Sequence, residues 1–128
     1  MAAAPPATGV TCDASSEIEC FYGRRGRPRK ITDYETRFRC GGGIGVLREE
    51  VWVDDNDEIS RYNLALILSH LFAADKGRVL GFDNAHGVHE RHFMGQVEAC
   101  DFTDYATIAA RFFREAVEIR RRYEDQGF

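Results

Sequence analysis

Residues Thr103–Tyr123, TDYATIAARFFREAVEIRRRY, carry the clearest periodic signal in the chain. Tyr105, Ile108, Phe112, Ala116, Ile119 and Tyr123 recur at spacings of 3, 4, 4, 3 and 4, which puts them on one stripe of an α-helix. Thr103 stands where a cap is needed, Asp104 suits the positive end of the helix dipole, and Arg120, Arg121 and Arg122 suit the negative end. Arg111 with Glu115, Arg114 with Glu118, and Glu118 with Arg122 add i,i+4 pairs worth a few tenths of a kcal/mol each. Such a stripe must be covered, and its Phe and Tyr side chains read first as core.

Upstream, the period changes from 3.6 to 2. Between Ile44 and Val53, the residues Val46 and Leu47 lead into Val51, Trp52 and Val53, a β-branched and aromatic run that suits a strand. Asp54, Asp55, Asn56 and Asp57 then form a turn, because short polar side chains bond their own backbone. From Ile59 to Phe72, the residues Tyr62, Leu64, Leu66, Leu68, His70 and Phe72 alternate with Ala65, Ile67 and Leu71, the pattern of a strand buried on both sides. Its Leu and Ala content suits a helix equally. His70, alone in this run, reads as a satisfied core histidine. A turn at Ala73–Gly77 and two strands, Arg78–Phe82 and Phe93–Ala99, follow. The expected fold is α+β: an antiparallel meander of about four strands packed against one C-terminal helix.

The chain has 128 residues, with 17 Lys and Arg against 21 Asp and Glu, so it is long enough for one domain and acidic overall at −4. That charge is unevenly spread: residues 1–23 carry −3, 24–40 carry +5 and 41–60 carry −5. The opening Ala, Pro, Ser and Thr residues show no periodicity, so residues 1–35 are expected to be a flexible tail and 36–128 the folded domain. The longest apolar run, Leu64–Leu68, falls far short of the roughly 20 residues a membrane helix needs. The first residues lack the basic and apolar regions of a secretory leader. Cys12, Cys20, Cys40 and Cys100 form no CxxC pair and no dense disulfide framework, so thiols in a cytoplasmic protein are expected.

One segment exceeds what folding asks for: GFDNAHGVHERHFMG, Gly81–Gly95. A strand connection needs only turn residues, which Asp83, Asn84 and Gly87 supply. His86, His89 and His92 are surplus. Metal-independent cleavage of RNA needs a base, an acid and a cation on the phosphate; imidazoles titrate near neutral pH and can serve as both base and acid. Arg91 suits the phosphate, and Asp83 or Glu90 suits a histidine's second N–H. In a strand, His86 and His92 share a face while His89 points away; a loop curled at 84–87 could bring all three to one point. The competing chemistry is a metal held by His86, His89 and His92 with nearby carboxylates, although the spacing matches no strong zinc signature. The third reading is a solvated polar hairpin.

GRVLGFDNAHGVHERHFMGQVE, followed by DFTDYATIAARF, resembles the TumE family of bacterial toxin–antitoxin toxins. The matching positions are Asp83, Asn84, His86, His89 and His92, and Phe82 stands where that family usually has Tyr. The resemblance implies the toxin of a type II pair: an endoribonuclease that inhibits translation, encoded beside a small helix-turn-helix antitoxin. It implies no cofactor. RNA would be the substrate, and a homo-oligomer is compatible with it. The alternative is a non-catalytic nucleic-acid-binding or regulatory module with a metal-stapled histidine loop.

GRRGRPRK, Gly23–Lys30, is a separate feature. Arg24, Arg25, Arg27, Arg29 and Lys30 flank a Gly and a Pro in a pattern that looks like an AT-hook, a short extended arm that enters the minor groove of A·T-rich DNA. RNA backbone capture, a plain linker, and pairing with the acidic turn at 54–58 are the competing roles.

Overall fold

The computed structural model describes residues 28–124. The strands are β1 (Arg29–Cys40), β2 (Gly43–Val53), β3 (Ile59–Ile67), β4 (Arg78–Asp83), β5 (Glu90–Phe93) and β6 (Gln96–Ala99), followed by helix α1 (Tyr105–Glu124). They form one six-stranded antiparallel sheet in the order β1-β2-β3-β4-β5-β6. The fold is therefore the expected α+β meander, with six strands in place of about four.

The two extra strands were hidden for different reasons. β1 is exposed along most of its length, so it carries no apolar alternation, and it starts at Arg29, ahead of the expected domain boundary at 36. β5 and β6 are four residues each and share one apparent run, Phe93–Ala99. Met94 and Gly95, both at positive φ (50° and 84°), fold that run into a hairpin with Phe93 opposite Gln96. The expected polar loop therefore shrinks, and Glu90–Phe93 becomes strand.

Among the described residues, Lys30–Trp52 and Ile59–Glu124 cluster as one compact unit, while Val53–Glu58 groups with Arg29 in a second. In the second, Asp54 Oδ1 accepts from the backbone N–H groups of Asn56 (2.8 Å) and Glu58 (3.1 Å), closing the acidic turn as expected. Arg29 there forms an ion pair with Asp57.

Strand register sorts the side chains of the larger unit onto two faces. Leu64, Phe82, Arg91 and Glu98 form one cross-strand row, and Leu66, Leu80, Phe93 and Gln96 the next row on that face. Ala65, Gly81, His92 and Val97, then Asn63, Asp83, Glu90 and Ala99, form rows on the opposite face. α1 covers the first face with Ile108, Phe112, Ala116 and Ile119, the centre of the predicted stripe. Phe112 meets Phe82 edge-on at 6.3 Å. Tyr62, Leu64, Leu66 and Leu68 are buried on one side as the alternation required, and at about 25 cal/mol per Å² such burial supplies most of the driving force.

Three details differ from expectation. The helix is capped by Asp104, whose Oδ1 accepts from the Thr107 N–H at 2.8 Å, and not by Thr103. His70 lies past the end of β3, exposed, with Nε2 2.5 Å from the Cys40 carbonyl, so it is not a core histidine. Cys40 is buried and Cys100 half-buried, both free thiols; Cys12 and Cys20 lie outside the described residues. Among the described residues no helix is long and apolar enough to cross a membrane.

Candidate metal centre

β4 and β5 pair in register, and the open face of that pair collects the polar cluster. Asp83 ends β4, Glu90 opposite it begins β5, and His92 stands one row along, opposite Gly81. His92 Nε2 lies 3.2 Å from Asp83 Oδ2 and 3.7 Å from Glu90 Oε1. One ligand atom from each of the three lies within 4.8 Å of the others. His92 is only 8% exposed and Asp83 6%. Although 3.2 Å is close enough for a hydrogen bond, the direction is wrong, and His92 Nε2 is a buried nitrogen without a hydrogen-bond partner. Leaving such an atom unsatisfied costs about 1–3 kcal/mol, so its position between two carboxylates needs a reason.

Asp83 is held firmly. Its Oδ1 accepts from the Ala85 N–H at 3.3 Å, and its Oδ2 accepts from Arg78 Nη1 at 3.1 Å. Arg78 also donates through Nε to Asp75 Oδ2 at 2.9 Å, so one guanidinium joins the turn before β4 to the end of that strand. Gly81 makes this possible: a Cβ there would sit 2.7 Å from Arg78 Cδ. Arg78 was not apparent from the sequence as a site residue. The available signal was Gly81 itself, since a glycine inside a strand often marks a close approach.

The other expected site residues go elsewhere. His89 turns to the helix-covered side, where Nδ1 shares a 2.8 Å hydrogen bond with the Tyr62 hydroxyl and the ring stacks on Phe102 at 3.9 Å. Burial pushes the Tyr62 hydroxyl well above the usual phenol range, so it stays neutral and fit for that bond. Arg91 also faces α1. Its Nε and Nη2 donate to Glu115 Oε1 at 3.0 and 2.7 Å, and Nη1 reaches Glu98 at 3.4 Å. Asn84 accepts from the Tyr62 N–H at 3.0 Å and donates to the Ser60 carbonyl at 3.1 Å, which pins the loop to β3. His86 lies in the loop with its side chain 78% exposed and Nδ1 3.7 Å from Glu90 Oε1.

Strand alternation therefore keeps the three histidines from converging. His92 and His86 lie beside Glu90, and His89 is on the far side of the sheet with Arg91. The metal-capable group among the described residues is Asp83, Glu90 and His92, in place of His86, His89 and His92.

Of the basic arm, Arg24, Arg25 and Arg27 lie outside the described residues. Lys30 contacts Glu50 at 2.7 Å and Asp33 at 3.3 Å, and Arg29 is paired with Asp57. Both described bases are thus engaged by acids, the pairing with the acidic turn being one of the roles weighed above. In comparisons with known proteins, no family model, curated protein or solved structure matches the chain.

Proposed function

We propose that the chain is a metal-stapled binding module in which Asp83, Glu90 and His92 hold one divalent transition-metal ion. The observation that carries this reading is His92 Nε2, buried, without a hydrogen-bond partner, and placed between two carboxylates. Separations of 3.2 and 3.7 Å match the spacing of ligand atoms around an ion that binds each at about 2.0–2.2 Å. An imidazole with two carboxylates suits zinc or manganese. Arg78 beside Asp83 cancels one of the two negative charges and so disfavours calcium and magnesium, whose affinity depends on charge count. Such an ion would tie the start of β5 to the end of β4 and hold the 84–89 loop between them.

Nucleic acid is the proposed partner, bound through Arg24, Arg25 and Arg27 and dependent on salt. The toxin reading keeps one supporting observation. His86 and His92 flank Glu90 at 3.7 Å each, so an acid and a base could still lie on one face, with His89 and Arg91 supporting the fold.

Titration of the metal-free chain with zinc and with manganese, followed by calorimetry, tests the module. The expected result is one site per chain, with affinity reduced about 100-fold or more in His92→Ala, since even outer partners of metal ligands contribute 10–100-fold. No binding of either ion would sink the metal reading. If chelator-treated protein still cleaves RNA and His86→Ala abolishes that cleavage, the ribonuclease reading replaces it.

A further inference from the structure

β1 is the outer strand of the sheet, and no strand among the described residues pairs with its free side. It runs for 12 residues without a proline or a glycine, two of the breakers that commonly blunt such an edge. Charge is the remaining protection, and here it changes sign half-way. DYETRFR, Asp33–Arg39, reads acid, aromatic, acid, threonine, base, aromatic, base. Charges of one sign along an edge repel a second copy in every register, whereas a reversal about Thr36 favours one register over all others. Asp33, Glu35, Arg37 and Arg39 are exposed, while Thr36 and Phe38 are half-buried and Cys40 is buried, the alternation of a strand with one solvated face.

We propose that β1 pairs edge to edge with β1 of a second copy, antiparallel, about a two-fold axis between the two copies of Thr36. Directly opposed side chains share a face of the sheet, so a two-fold axis perpendicular to it must fall between two copies of one residue. Centring the pair on Asp33, Glu35, Arg37 or Arg39 sets that charge against itself. Centring it on Tyr34 sets Asp33 against Glu35, and centring it on Phe38 sets Arg37 against Arg39. Thr36 is the centre that opposes every one of these charges to its opposite: Asp33 faces Arg39 and Glu35 faces Arg37, each pair occurring twice. The same register sets Tyr34 opposite Phe38 on the other face, a favourable aromatic pair. Parallel pairing in register would set each charge against its own copy.

Contacts within the chain leave these groups available. Arg39 forms no ion pair among the described residues. The Asp33 and Arg37 side chains are each 70% exposed, although Asp33 lies 3.3 Å from Lys30 and Arg37 lies 3.5 Å from Glu35. Glu35 also accepts from Arg48 at 2.9 Å, and its carboxylate has room for a further donor from the other copy. Tyr34 is 49% exposed, a large side chain on an edge strand with nothing of the core upon it. Asp83, Glu90 and His92 belong to β4 and β5, toward the other edge of the sheet, so pairing at β1 leaves the candidate metal centre open.

One strand from each copy makes a small interface, below the roughly 1,200 Å² typical of stable complexes, so association in the micromolar range or weaker is expected. Sedimentation equilibrium of the full chain, from about 10 µM to about 500 µM, covers that range. The expected mass rises with concentration from 14.5 kDa toward twice that value, and less so at high salt. Arg39→Glu breaks no ion pair within the described residues and turns two attractive pairs of the dimer into repulsive ones, so it should weaken association about tenfold or more. Two double variants supply the rescue. Arg37→Glu with Arg39→Glu makes the whole stretch acidic, and Asp33→Arg with Glu35→Arg makes it basic. Each alone should stay at 14.5 kDa, and their equal mixture should associate at least as strongly as the wild type, with circular dichroism as the folding check. A wild-type mass of 14.5 kDa at every concentration, as when another segment or another protein covers the edge, overturns the proposal. So does an Arg39→Glu variant that associates as the wild type does, or a mixture of the two folded double variants that associates no more than either alone.

Discussion

The two faces of the sheet use the same residue types for opposite purposes. On the covered face, His89 is bonded to Tyr62 and stacked on Phe102, and Arg91 is forked onto Glu115. On the open face, His92 has no hydrogen-bond partner, and Arg78 reaches past a glycine to hold Asp83. The histidines are three residues apart and both arginines are engaged by carboxylates, yet His89 is satisfied and His92 is not. Polar groups beneath a helix must find partners during folding, because no ligand can reach them later. His92 Nε2, set between two carboxylates without a hydrogen bond, keeps its bonding capacity for something else.

The largest effect expected from this contrast is on stability. Phe112→Ala empties the contact between α1 and Phe82 and should cost about 3–5 kcal/mol, read as a fall in denaturant midpoint, because both rings are fully buried. A loss below about 1 kcal/mol would mean that α1 does not close this face.

Exchanging the roles of two histidines sharpens the contrast. His89→Ala leaves the buried Tyr62 hydroxyl without its partner and should cost about 1–3 kcal/mol while zinc affinity stays within a few-fold. His92→Ala should do the reverse, changing the unfolding midpoint little and removing metal binding. If both variants lose metal binding equally, the histidines act together and the division between the faces is wrong.

The helix was legible almost to the residue because a 20-residue stripe repeats its signal five times over. β2 and the buried face of β3 were legible for the same reason. β1, β5 and β6 were not, because an exposed edge strand and two four-residue strands carry too few buried side chains to set a period. At the candidate site, the sequence singled out the loop with Asp83 and His92, which the structure brings together with Glu90, but it grouped His89 and Arg91 with them. Strand pairing decides which side each residue faces, and a six-residue loop at 84–89 conceals that parity. Arg78 was harder to see, since its contact with Asp83 depends on the path across Gly81.

Acid brings out the smallest difference between the faces. Burial tends to raise the Glu115 carboxyl, but hydrogen bonds from Arg111 and Arg91 outweigh it and hold the group below the ordinary value of 4.5. Glu50 on the open side is likewise raised by burial and lowered further by Lys30 and Asn63, with a net shift below 4.5. A carboxyl depressed on folding binds its proton less readily in the native state. Its stabilisation is therefore complete above the unfolded value near 4.5 and is lost as pH falls through the lower folded value. Unfolding midpoints measured from pH 6 down to about pH 3 should decline over that window. Glu115→Gln and Glu50→Gln should each flatten the decline, and Glu115→Gln more, because Glu115 is bonded to two arginines, one of which, Arg91, is largely buried beneath the helix, while Glu50 is bonded to one base, Lys30, a third of which is open to water and screened by salt. Equal flattening, or more from Glu50→Gln at high salt, would show that the covered face holds its charges no more tightly than the open one.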